Sequence, residues 1–152
     1  MQTNDIAKAF LSSSCFKGLE LKQIEKLIAV SKKIQFKAND LVYAAGEPSK
    51  EILFLIHGKV EIAKGSVHLA LISEGNIVGE MGVLTKQPRS ANVKAISDIQ
   101  AISFPQEELE KVITNNPELA LILYRNLVGI LSEHLRNNNL MLELSDIIDE
   151  TL

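Results

Sequence analysis

Between positions 31 and 105 the chain never holds one pattern for long. Short apolar stretches are cut off by glycines at 46, 58, 65 and 75, and no amphipathic helical period survives the interruptions. Residues 34–36 alternate, Asn39-Asp40 turns, 41–43 is extended, and Gly46-Glu47-Pro48 turns again. The run 51–57 is apolar at every position from Ile52 to Ile56, the mark of a strand buried on both faces. Strands at 59–63 and 67–72, and after an interruption at 91–96 and 99–104, complete a set of about eight. Short strands with evenly spaced turn residues specify an antiparallel sandwich or barrel, and eight fit a jelly roll. The expected class is mainly β with flanking helices: an eight-stranded antiparallel jelly-roll barrel at 32–105, N-terminal helices in 1–31 and C-terminal helices in 106–152.

The interruption carries the chemistry. Gly79-Glu80-Met81-Gly82-Val83 is too compact for an ordinary strand, and Arg89-Ser90-Ala91 follows directly behind a proline. Glycines let successive backbone N–H groups converge without a side chain in the way. N–H groups at the start of a short helical turn form an anion nest. Arg89 adds a planar bidentate partner for phosphate oxygens. Glu80 would repel an anion, but it suits a ligand that also offers a hydroxyl donor such as a ribose 2′-OH. Nest, arginine and carboxylate together point to a phosphorylated sugar ring. The plainer readings are a tight turn for the glycines and a structural ion pair between Glu80 and Arg89.

The run VGEMGVLTKQPRSANVKA resembles the phosphate-binding cassette (here 79–91) of the cyclic nucleotide-binding domains, a family that includes catabolite activator protein and protein kinase A regulatory subunits. The turn at Ala45-Gly46-Glu47, the hairpin glycine in His57-Gly58-Lys59-Val60 and the Gly75 turn match the same family, so the resemblance spans about 16–136. It implies that Arg89 pairs with the exocyclic oxygens of a cyclic phosphate and that Glu80 accepts the ribose 2′-OH. Ser90 would add a hydroxyl and an N–H, beside Gly79, Met81, Gly82 and Ala91. It places Ile62, Leu69 and Val78 along the base and His134 and Leu135 at its cap. Leu135 cannot donate to a purine, which leaves base selectivity open; cAMP is expected in preference to cGMP.

Helices flank the strand region. Residues 5–11 form a short helical face capped by Asn4 or Asp5, and 21–30 a second one. Residues 106–114 are helical, and Pro117 opens the last helix. That helix carries two apolar rows: Leu121, Tyr124, Val128, Leu131, Leu135 and Leu142, and Leu123, Leu127, Ile130, Met141, Leu144 and Ile148, the second interrupted by His134 and Asn137. A helix apolar on two sides has two partners; one is the barrel and the other a second copy of the chain. Asn137-Asn138-Asn139 is a weak helical segment where a bend is expected.

Composition narrows the function. With 152 residues the chain is expected to be one domain, with 46% apolar and 23% charged residues. A net charge of −3 offers no field for nucleic acid. About a dozen residues after the asparagine triplet leave no room for a helix-turn-helix. Cys15 is the only cysteine, so no internal disulfide forms, which fits a reducing compartment. No apolar run approaches the ~20 residues of a membrane span, and no signal segment is visible, so a cytoplasmic location is expected. His57, His68 and His134 are too scattered for a cupin metal centre, so neither enzyme nor metal is expected. The expectation is a stand-alone cyclic nucleotide sensor that signals through its last helix to an effector protein. The alternative is a degenerate member of the family that serves as a dimerisation or docking module without ligand.

Overall fold

The computed structural model describes residues 2–151, apart from the side chains of 138, 139 and 141. Five helices and eight strands follow in the order α1 (Thr3–Ser12), α2 (Leu21–Ala29), β1 (Lys32–Phe36), β2 (Leu41–Tyr43), β3 (Glu51–His57), β4 (Lys59–Lys64), β5 (Val67–Ser73), β6 (Ile77–Val78), α3 (Glu80–Thr85), β7 (Asn92–Ala95), β8 (Ile99–Pro105), α4 (Gln106–Asn115) and α5 (Pro117–Thr151). A single 3-10 turn, Ser14–Phe16, joins α1 to the chain leading into α2.

The strands form two four-stranded antiparallel sheets, ordered β1-β8-β3-β6 and β2-β7-β4-β5, and not the single closed barrel expected. The reason lies in the connections. The turn at Asn39-Asp40 carries the chain from one sheet to the other, so β1 pairs with β8 while its neighbour in sequence, β2, pairs with β7. The two-residue β6, too short to show any period, pairs only with the middle of β3.

The apolar run of β3 is explained by what lies on each face. Leu53 and Leu55 join Val60, Val78, Val93 and Ala101 in a cluster drawn from both sheets. Ile52, Phe54 and Ile56 face the helices, where the rings of Phe10 and Phe16 lie 5.0 and 4.8 Å from that of Phe54 and Phe104 adjoins the same cluster. A strand covered on both faces has no position left for a polar residue.

Two helix starts differ from expectation or extend it. The first begins at Thr3, with Gln2 at the cap and no side-chain capping bond, so neither Asn4 nor Asp5 is the cap. Asp5 instead sits in the first turn, where its charge suits the helix dipole. The second is closed by a capping box in which the Glu20 N–H donates to the Gln23 side chain at 2.8 Å.

Helix α5 runs through the asparagine triplet without leaving helical geometry, contrary to the bend expected there. Its first half is docked: Leu119, Ala120 and Leu127 are buried, and Leu123 and Ile130 pack on the helix-side core. Asn126 Nδ2 donates to the carbonyls of Cys15 and Lys17 at 3.0 and 2.9 Å, which fixes the helix to the 3-10 turn. Of the other row, Leu121, Tyr124, Val128, Leu135 and Leu142 are exposed and Leu131 is half-buried; Leu144 and Ile148 farther along are exposed as well. Met141, placed in the second of the two rows from sequence, lies outside the described side chains, as do Asn138 and Asn139.

Candidate functional site

Gly79 is in the left-handed region at φ 88°, which breaks β6 and lets α3 begin one residue later. A Cβ there would stand 2.5 Å from Arg89 Nη1 and 2.9 Å from Tyr43 Cε2. Glycine at 79 is therefore required twice, by the backbone and by the guanidinium lying against it. Gly82 has a different reason: a Cβ there would collide with Ser49 Oγ, which donates to the Gln87 carbonyl at 2.7 Å and props the loop from below.

Arg89 is held at both ends. Its backbone N–H donates to the Glu47 carbonyl and its carbonyl accepts from the Gly46 N–H, each at 2.8 Å, which ties it to the turn before β3. Its side chain turns inward: Nη1 donates to the Gly79 carbonyl at 2.7 Å and Nη2 to the Glu51 carbonyl at 2.6 Å. The guanidinium carbon lies 3.6 Å from the centroid of the Tyr43 ring. The residue is only 7% exposed, yet among the described residues it forms no ion pair and Nε has no hydrogen-bond partner. The structural ion pair with Glu80 that sequence left open is not made.

A buried cation with no direct ion pair among the described residues is costly, on the order of several kcal/mol. What stands in front of it is a cavity of about 450 Å³. Its floor is Gly79, Glu80, Met81 and Gly82 together with Arg89, Ser90 and Ala91. Ile62, Leu69 and Val78 form an apolar wall, and His134 reaches it from α5. Eleven of the twelve residues singled out from sequence are thus brought to one place. Leu135 is the exception: it is absent from the lining and 64% exposed, because its neighbour His134 takes the inward position and one step along a helix turns a side chain by about 100°. Met81 and Leu69 line the cavity while remaining well exposed, so they sit at its mouth.

Burial pushes the Glu80 carboxyl above the usual carboxylate range. Backbone N–H groups of Glu80 and Gly79 and the nearby His134 and Arg89 offset this only in part. The Tyr43 phenol is also raised by burial, so it stays neutral beside the guanidinium. The site therefore presents one buried cation with no direct ion pair among the described residues, one carboxyl that is poorly solvated, and an apolar wall on the side toward β5.

Sequence reasoning missed Tyr43, Ser49 and Asn137. Tyr43 ends a three-residue strand with nothing to mark it, and Ser49 reads as an ordinary turn residue. Asn137, which also lines the cavity, was read as a helix-weakening residue. Its spacing of three from His134 on one helix was the available signal. Among the described residues no group of three or more His, Cys, Asp or Glu could hold a metal, and no helix is long and apolar enough to cross a membrane. Behind α3 a second, apolar cavity of about 40 Å³ is lined by Leu84, Tyr124 and Leu127 among others.

The site thus joins a loop that turns on a left-handed glycine to a buried arginine facing a pocket, on two antiparallel sheets flanked by a long helix. Residues 33–116 match the model of the cyclic nucleotide-binding domain, and this chain belongs to that family. The CRP-like cAMP-activated global transcriptional regulator of Mycobacterium tuberculosis is 27% identical over 132 residues, 82% of this chain and 57% of that protein. The chain thus spans little more than half the length of that relative. The catabolite activator protein of Thermus thermophilus has a similar structure, with a TM-score of 0.71 at 23% identity over 88% of this chain and 63% of that one. The sensor domain of the transcriptional regulator DNR from Pseudomonas aeruginosa gives 0.70 at 24% identity over 90% and 95%.

Proposed function

We propose that this chain is a cyclic nucleotide sensor whose cavity holds cAMP in preference to cGMP. The observation that carries the reading is the buried Arg89 guanidinium, without an ion pair among the described residues and lining a cavity of about 450 Å³. That volume falls within the roughly 300–1,000 Å³ of small-molecule sites. A cyclic phosphate supplies the missing anion, and the cassette 79–91 wraps it. Glu80 accepts the ribose 2′-OH, Ser90 adds a donor to the phosphate, and Ile62, Leu69 and Val78 flank the base. His134 closes the pocket from α5, with Asn137 beside it. The name of the mycobacterial relative, which describes a cAMP-activated regulator, supports the same ligand class.

The domain acts by binding and not by catalysis. Ligand draws α5 toward the cassette, and the change in α5 is what an effector protein reads. A ligand shifts such an equilibrium only by its differential affinity for the closed state. The exposed row from Leu121 through Val128 to Leu142 supports a second role for α5, as the seam of a homodimer of jelly-roll domains in the cytoplasm. Calorimetry with cAMP, cGMP and a cyclic dinucleotide tests the reading directly. Saturable binding of cAMP, tighter than cGMP, is expected; no heat with any of the three overturns the sensor and leaves the docking module without ligand.

A further inference from the structure

We propose that Tyr43 is the positioning residue for Arg89: its ring fixes the plane of the guanidinium without neutralising it, so that the charge stays available to the ligand's phosphate. The inference deepens the cyclic nucleotide reading and rests on it.

Two carbonyls accept from the Nη groups, but each sets only a direction along the edge of the guanidinium. The Tyr43 ring covers a flat face at 3.6 Å, the contact that stops rotation out of that plane. A carboxylate in the place of the ring would hold the arginine equally well. It would also satisfy the cation and compete with an incoming phosphate. A neutral ring does the first without the second.

The fold brings the ring there by a departure from regular pairing. Strand β2 pairs with β7, but the register shifts between Leu41 and Tyr43, so Leu41 faces Lys94 while Tyr43 faces Val93. Such irregularities re-aim a side chain. Arg89 stands just ahead of β7, and the pairing delivers the two side chains to the same corner. Gly79 completes the arrangement, since a Cβ there would strike both of them. The phenol oxygen lies 3.5 Å from the Glu51 carbonyl, too long to contribute much, which makes the ring and not the hydroxyl the working part.

The test compares wild type with Tyr43→Phe, Tyr43→Leu and Tyr43→Met, and with Val60→Ala as a control that loosens the same inter-sheet cluster away from the cavity. For each, cAMP affinity is measured by calorimetry well below the unfolding temperature, and the Arg89 Nε–H signal is followed by NMR without ligand. The phenylalanine variant is expected within about twofold of wild type, and the leucine and methionine variants about five- to thirtyfold weaker. The control loses stability and keeps its affinity. In the two non-aromatic variants the Nε–H signal is expected to broaden or exchange away, while phenylalanine preserves it. Wild-type affinity in either folded non-aromatic variant overturns the proposal, as does a phenylalanine variant as weak as leucine. If wild type binds neither cAMP nor cGMP, the sensor reading fails by itself. The NMR comparison then decides the positioning claim: an unchanged Nε–H signal in the leucine or methionine variant overturns it.

Discussion

Replacing Arg89 with alanine separates affinity from stability, and the structure supplies both magnitudes. On the side of stability, the change deletes two hydrogen bonds from a charged donor to carbonyls, worth about 1.5–3 kcal/mol each, and a ring contact worth about 1 kcal/mol more. Against this it removes a buried cation that makes no direct ion pair among the described residues, a cost of several kcal/mol. The two nearly cancel, so the unliganded variant is expected to unfold within about 5 °C of wild type. On the side of binding there is no such cancellation. Hydrogen bonds to a charged partner contribute about 1.5–3 kcal/mol each, and losing two from one phosphate weakens cAMP binding by about a hundredfold or more. Thermal unfolding with and without ligand reads both effects in one experiment. At a hundred times its dissociation constant, a ligand adds about 2.7 kcal/mol to the wild type. For a domain of this size that raises the midpoint by roughly 5–10 °C. The variant should show almost no rise at the same concentration. A full ligand-induced rise in Arg89→Ala would refute the assignment of the arginine to the phosphate. A variant unfolded without ligand would refute the cancellation argument.

The Glu80 carboxyl has a folded pKa above its unfolded value. Its contribution to stability is therefore fully present below the unfolded pKa and lost as pH rises through the folded one. Urea unfolding of Glu80→Gln between pH 4 and 7 should show a smaller loss with rising pH than wild type, and at pH 7 the unliganded variant should be at least as stable. Its cAMP affinity should nevertheless fall about tenfold, because a neutral amide accepts the ribose hydroxyl less strongly. Gly79→Ala puts a Cβ at φ 88° into Arg89 and Tyr43, so both affinity (more than tenfold, by calorimetry) and stability (about 1–3 kcal/mol, by denaturation) should drop together. Amide hydrogen exchange across 127–136 should slow when cAMP is added; unchanged protection there would remove the helix switch and spare the binding site.

Much of the fold was legible because its signals are local. The two-faced burial of β3 is written into Ile52 through Ile56, and the landmarks at Gly46, Gly58 and Gly75 mark turns whose backbone at those three glycines is left-handed. Part of the site's geometry was legible for the same reason: Gly79, Glu80, Gly82 and Arg89 lie within one short segment, so their spacing marks a tight loop, and the structure brings all four to one cavity. The two-residue β6 and the unbroken passage of α5 through the asparagines were not legible. The first depends on pairing with β3 and is too short to have a period of its own; the second runs against the low helix propensity of asparagine.

By itself the order of residues determined that a tight, glycine-hinged loop would carry an arginine and a carboxylate between short strands. Tertiary structure alone decided how those charges stand. Pairing of β2 with β7 set the Tyr43 ring against Arg89, the packing of α5 brought His134 to the cavity and left Leu135 in solvent, and the surroundings buried the guanidinium with no direct ion pair among the described residues. Loop chemistry is encoded by neighbours in sequence, whereas desolvation and the absence of a counter-charge are properties of everything that surrounds a side chain.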